Sequence, residues 1–251
     1  MSSTETTIEK KAEAPLEESF EWLKLELDRL PQKETLEYSF KKSLIAASAV
    51  FTLEKNLSGE TLNVEGQLKA KIPFKGNFEF EATSASHRNP SPIGFSIYKE
   101  FKSDDAIRLW IEQAGVLKCI PQSGLDEAKT VKDFSVGETL PAGTVLNALT
   151  LLSVLSSHLP SKKKIFAAQF VAADKLIVLK ILFDEAGTRF RVFSKEAAAP
   201  VSSEQWQQIN WPEASLLEGS WSAEHRAVNA LRVRVPVLGA LELPLTRSSR
   251  E

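Results

Sequence analysis

The sequence predicts a mainly β fold: an antiparallel open or closed barrel of about ten or more strands, with one helix before it and one inside it. Three observations point there. Long stretches alternate apolar and polar residues at period two, as Leu36, Tyr38 and Phe40 do against Glu37, Ser39 and Lys41. Turn residues interrupt these stretches at short intervals, as at Asn56-Leu57-Ser58-Gly59. Only two segments, near residues 16–30 and 144–159, carry helical spacing.

The central ribbon, Lys164 to Ser194, organises the chain. Two apolar runs, Ile165 to Val171 and Leu176 to Phe183, flank Ala172-Ala173-Asp174-Lys175, and Asp184-Glu185-Ala186-Gly187 leads into Thr188 to Phe193. These read as consecutive antiparallel strands. Leu176 to Phe183 is apolar at both parities except Lys180, which predicts a sheet covered on both faces there and places it in the middle of the fold.

Taken in order, residues 1–15 are polar and charged and read as a disordered leader, without the apolar stretch of a signal peptide. Residues 16–33 read as an amphipathic helix ended before Pro31, because Leu16, Phe20, Leu23, Leu27 and Leu30 recur at spacings of four and three, with Trp22 and Leu25 widening the stripe. Such a short helix either docks on its own domain or takes a partner.

Residues 34–247 form a single antiparallel β domain. Its first strands alternate from Leu36 to Phe40, Ala47 to Leu53 and Leu62 to Ala70, then through Phe78 and Phe80, with Gly66 and Gly76 at bulges or bends. Strands resume at Ile93 to Ile97, Ile107 to Ile111 and Val116 to Ile120, and Pro121 to Gly143 lacks periodicity and reads as a connection. A second helix is expected over about 144–159, capped by Thr144, with Val145, Ala148, Leu149, Leu152, Leu155 and Leu159 on its apolar stripe and Asn147, Thr150, Ser153 and Ser157 opposite. A last hairpin pairs Leu231, Val233 and Val235 with Leu241, Leu243 and Leu245.

Composition excludes several functions. The 251 residues carry a net charge of -2, which offers no overall attraction to nucleic acid or an anionic membrane. No apolar stretch reaches the roughly 20 residues that cross a bilayer as a helix. The lone Cys119 rules out an internal disulfide framework and reads as a buried, inert thiol. His87, His158 and His225 have no metal-ligand spacing, and phosphate-cradling glycine loops and a nucleophile elbow are absent. No catalytic residue, cofactor or metal is therefore expected. Trp206 and Trp211, in a polar loop bounded by Pro200 and Pro212, read as a contact platform for a ligand or partner, or as a plug over the barrel end.

The order of elements resembles a bacterial family known as domain of unknown function 3108. The resemblance rests on Leu36-Glu37-Tyr38-Ser39-Phe40 opening a strand, the hairpin ending in Gly66-Gln67-Leu68, the helix-forming Leu140-Pro141-Ala142-Gly143-Thr144 to Leu155, and the closing Ala230 to Leu245 hairpin. It implies a β-rich protein of the periplasm or cell envelope without enzymatic activity. The expectation is thus a non-enzymatic envelope protein of unknown function whose concave sheet binds a lipid, another apolar ligand or a partner segment. Contacts would come from Trp206, Trp211, Phe20, Leu23 and Leu27. Two alternatives stand beside it: a hydrolase built on His225 or His158, and a structural module docking through the 16–30 helix.

Overall fold

A computed structural model describes residues 19–42, 47–72, 76–88, 91–102, 105–122, 131–136, 140–157, 165–196, 200–222, 227–235 and 239–251. The expected leader, residues 1–15, lies outside them. The strands are β1 (Glu21–Trp22), β2 (Lys33–Lys42), β3 (Ala47–Ser58), β4 (Thr61–Ile72), β5 (Gly76–His87), β6 (Ile97–Lys102), β7 (Asp105–Gln113) and β8 (Val116–Pro121). They continue with β9 (Lys132–Ser135), β10 (Val145–Leu146), β11 (Ile165–Ala172), β12 (Lys175–Phe183), β13 (Arg189–Glu196), β14 (Leu217–Ser222), β15 (Ala227–Val235) and β16 (Gly239–Arg250). Among the described residues two helices join them, α1 (Ala148–Ser157) and α2 (Ser203–Gln207).

All the strands belong to one sheet, in the order β1-β11-β12-β13-β14-β15-β16-β2-β3-β4-β5-β6-β7-β8-β9, with β10 also on β11. Pairing is antiparallel except for β1 and β10, which lie parallel along one edge of β11. The fold is therefore mainly β, a large antiparallel sheet that curls without closing its ladder. The curl is visible in what α1 touches: β4 and β5 on one arm, β10, β11 and β15 on the other. Side chains from both arms, including Leu36, Leu53, Leu62, Trp110, Phe166, Ile181 and Phe190, merge with Leu155 of α1 into one buried core. At the seam, segment 91–94 bonds to β10 through Gly94 N–H to Val145 O (2.8 Å) and Val145 N–H to Pro92 O (2.9 Å). On the far edge Lys132 of β9 reaches Asp174, in the β11–β12 turn, at 2.5 Å.

The period-two pattern translated into strands except at Ile93 to Ile97, where Ile93 makes a single bridge to Val145 and β6 begins only at Ile97. β2, β3, β4 and β5 pair in long registers, with Tyr38 opposite Phe51 and Phe51 opposite Leu68. The terminal hairpin sets Leu231 against Leu243 and Val233 against Leu241. The ribbon forms as expected, and both its faces are covered: Leu179 and Ile181 point into the main core, while Ala167 and Val178 meet a second cluster built on Trp206. It is not the middle of the sheet, however. β2 holds that place, because the last strand, β16, pairs with it and brings the two ends of the chain together. That pairing is non-local, and local hydrophobicity carries no trace of it.

The helix expected over residues 16–33 is absent from the described part, residues 19–33. There the chain is extended through β1, then makes one 3-10 turn at Leu27–Arg29. Leu23, Leu25 and Leu27 alternate with Lys24, Glu26 and Asp28, so the segment carries a period-two pattern besides the helical one. The free edge of β11 decides between them, since its backbone groups need partners that an extended segment supplies and a helix cannot.

Segment 121–143 contains the short β9 and buries Val136 and Leu140, so it is part of the fold in its described portion. The tryptophan loop holds α2, capped by Ser202 and Gln205 in a reciprocal pair of bonds, a pattern legible in the sequence and overlooked.

Candidate functional site

The concave face of the sheet and the helix on it form the candidate site. α1 begins at Ala148, not near Thr144. Asn147 caps it: its side-chain oxygen accepts from the N–H groups of Leu149 and Thr150 (3.0 Å each). Thr144 instead precedes β10 and donates its hydroxyl to Pro141 O at 2.8 Å. Of the polar stripe expected opposite the apolar one, Asn147, Thr150 and Ser153 are fully enclosed, and the neighbouring Ser156 is nearly so; the side chain of Ser157, with His158 and Leu159, lies outside the described residues. Burial is tolerated because each group is bonded. Asn147 donates its side-chain amide to Ser84 Oγ (2.8 Å), Thr150 Oγ1 accepts from Asn147 N–H (2.9 Å), and Ser153 and Ser156 donate back to Leu149 O (2.8 Å) and Ser153 O (3.0 Å).

The helix approaches β4 at Gly66, where a Cβ would come within 2.5 Å of Leu149 Cδ2. Gly66 therefore serves close packing and not a bulge, and the register of β4 runs through it without a shift.

At the other end of α1, the enclosed Lys55 ammonium donates to Ser156 Oγ at 2.8 Å and pairs with the Glu34 carboxylate, its direct cross-strand neighbour. Arg250 completes the group, donating to Glu34 Oε1 from Nε (2.9 Å) and a terminal nitrogen (2.5 Å). Burial lowers the proton affinity of Lys55, with Glu34 opposing it and Arg250 adding to it. A cation at the last turn of a helix also complements its dipole. Nearby, Tyr38 donates its hydroxyl to Val228 O at 2.9 Å, and burial, reinforced by Glu34, holds that phenol protonated well past its ordinary range.

This polar cluster was missed from sequence although it left a signal. Lys55 continues the inward parity of Ala49, Phe51 and Leu53, and Glu34 that of Leu36, Tyr38 and Phe40. Opposite charges at inward positions of adjacent strands predict a buried pair.

The expected contact residues gather on the outer side of the ribbon. Trp206 is buried, donates its indole N–H to Leu179 O at 3.1 Å, and lies 4.1 Å from Phe20 and 5.3 Å from Trp211 between ring centres. Trp211 and Phe20 are half-buried. The tryptophans thus plug the outer face of β11 and β12 and present no open platform. Leu23 and Leu27 are buried in the main core, so the segment from Phe20 to Leu30 docks on its own domain.

Two open grooves flank these parts. One, of about 490 Å³, runs between Lys24–Arg29 and Arg88, Ile93 and Gly143. The other, of about 530 Å³, follows the outer row Arg191, Glu218, Arg232 and Glu242, which alternates in sign across four strands. Of the histidines, His87 is exposed and shares a hydrogen bond with Thr61 Oγ1 at 2.9 Å, while His158 and His225 lie outside the described residues. Among the described residues no three metal-binding side chains converge, and no helix is long and apolar enough to cross a membrane.

Cys119 is buried as expected, 1% exposed on β8. Burial raises its thiol from 9.0 to about 11, against a smaller pull from Arg108. Since the folded value lies above the unfolded one, its contribution to stability is complete below about pH 9 and is lost as the pH rises towards about 11. Urea melts at about pH 8 and about pH 10.5 should show the parent losing stability more steeply than Cys119→Ala; equal slopes would remove the thiol from the account.

The fold and site define a class: an open, barrel-like antiparallel β protein with a helix on its concave face. No family model matches the chain, and no curated protein matches it. Among solved structures it is similar to a β-barrel-like protein of domain of unknown function DUF1849 from Brucella abortus, at 8% identity over 88% of this chain and 98% of that one, with a TM-score of 0.47. It is also similar to a porin-like protein from Bacteroides uniformis, at 9% identity over 88% of this chain and 96% of that one, with a TM-score of 0.32. No residue correspondence is carried across at such identities.

Proposed function

We propose that the chain is a non-enzymatic binding module that seats apolar polypeptide segments on the concave face of an open β sheet. The observation supporting it is the occupant of that face. A ten-residue helix lies there, laid against apolar side chains from both arms of the sheet and joined to them by a small number of polar bonds. A sheet that holds a helical segment of its own chain has the shape and chemistry to hold a partner's. A lipid or other apolar ligand would have to take the place of α1. The hydrolase alternative rests on His225 or His158, which lie outside the described residues. The resemblance to the 3108 family adds a bacterial cell-envelope setting to the proposal.

Exchange of occupants requires α1 to leave without global unfolding. Native-state hydrogen exchange should show the amides of Leu151 to Leu155 opening at a lower free energy than those of Val178 to Ile181. Equal opening energies in the two segments would make α1 a permanent core element and remove the proposal.

A further inference from the structure

The strap Phe20–Leu30 makes its tertiary contacts with distant parts of the chain. Leu23 N–H donates to Ala167 O (2.7 Å) and Leu25 N–H to Gly143 O (3.0 Å). The Trp22 indole donates to Ser203 Oγ (3.2 Å), Phe20 lies against Trp206, and Asp28 pairs with Arg88. Within the strap the bonds are those of one 3-10 turn and an Arg29–Glu26 pair at 2.5 Å. The described receiving surface is thus built by parts of the chain distant from the strap.

We infer that the strap is exchangeable, and that the strap of a second copy of this chain seats on the β11 edge. Three features favour it. First, the pairing is slight: β1 aligns two residues with β11 in parallel, where β12 aligns eight in antiparallel. Parallel pairing is the less stable per residue, so the strap opens before the ribbon does. Second, the joint is short. Gln32 O already accepts from Leu57 N–H of β3 at 2.7 Å, which leaves Leu30 and Pro31 as the pivot. Third, the vacated surface is specific: a free strand edge beside Trp206 and Trp211, with core sites shaped to Leu23 and Leu27, and with Gly143, at φ 72°, allowing the chain to approach Leu25 closely. A bare edge of this kind recruits a strand, and the best-fitting one is an identical strap. This inference concerns the β11 edge and does not depend on release of α1.

The strap in its own chain acts at an effective concentration of order millimolar, so the exchange is best read with that competitor weakened. A fluorescein-labelled peptide of Ser19 to Leu30 is titrated, by anisotropy, into the full chain and into the full chain carrying Phe20→Ala and Leu23→Ala. These substitutions loosen the resident strap and leave the receiving edge intact. Saturable binding, tighter in the variant by about tenfold or more, is expected. No binding at about millimolar peptide to a variant that still melts cooperatively overturns the inference. Equal binding of an unrelated peptide with alternating leucines overturns the second-copy assignment. Should the variant fail to fold, hydrogen exchange in the parent decides: Leu23 and Leu25 amides must open at lower free energy than β12, and opening only with β12 rejects exchange.

Discussion

Ile181→Asp is expected to leave no soluble, cooperatively melting protein. Ile181 is fully buried on β12, paired with Phe166 on one side and Val192 on the other, and its side chain points into the main core. An aspartate there must either ionise without a partner or remain protonated without hydrogen bonds, at a cost of several kcal/mol. It also loses the burial of an isoleucine, about 1.5–3 kcal/mol. Against a typical total stability of about 5–15 kcal/mol, that sum removes most of the folded state. Leu179→Asp should behave alike, since Leu179 is 1% exposed on the same face. Soluble yield and a thermal melt check both, and a cooperative transition near the parental temperature would falsify the placement of β12 between two apolar layers.

Lys55→Met is expected to destabilise the protein by about 3–5 kcal/mol, the usual consequence of removing one partner from a buried ion pair. The side chain is fully enclosed, and its loss strands part of a Glu34 carboxylate that is itself 2% exposed and cannot turn to water. Arg250, 32% exposed, still reaches Glu34 and moderates the loss. Adding Glu34→Gln should recover much of it, because the uncompensated charge is gone. Urea denaturation of the two single variants and the double variant forms a cycle, with an expected coupling of about 1–3 kcal/mol. Additive effects would mean that the pair does not act as a unit, and that α1 is held at Ser156 by other means.

The candidate site was only partly legible. The concave apolar face followed from alternation alone, since Leu36, Tyr38, Leu53, Leu62 and Val64 occupy inward parities and are buried. The second helix was placed correctly in its body, Ala148 to Ser157, but its cap is Asn147 and not Thr144, and the burial of Asn147, Thr150 and Ser153 was not read from the pattern. An amphipathic pattern states which side chains share a face, not what that face meets. Asn147 and Ser156 meet Ser84 and Lys55, residues of strands more than sixty positions away in the chain. That Trp206 plugs the fold was one of the two outcomes read from the sequence, but the surface it covers was not. A tryptophan between Gln205 and Gln207 looks exposed, and only the underside of Ala167 and Val178 makes it buried.

By itself the sequence determined the local matters: where most strands run, which residues share a face, that the ribbon from Ile165 to Phe183 is covered on both sides, and that residues 231–235 and 241–243 form a final hairpin, though Val235 pairs with Gly239 and Leu245 with Tyr38. These depend on side-chain parity and turn chemistry, which act over a few residues. Only the tertiary structure decided which strand lies at the centre, how far the sheet curls, and whether Phe20 to Leu30 winds or extends. Those outcomes turn on backbone groups seeking partners across the whole chain. The pairing of β16 with β2 closes a span of some two hundred residues, and the β11 edge draws an otherwise helix-compatible segment into an extended strap because unpaired amides and carbonyls there would stay unbonded.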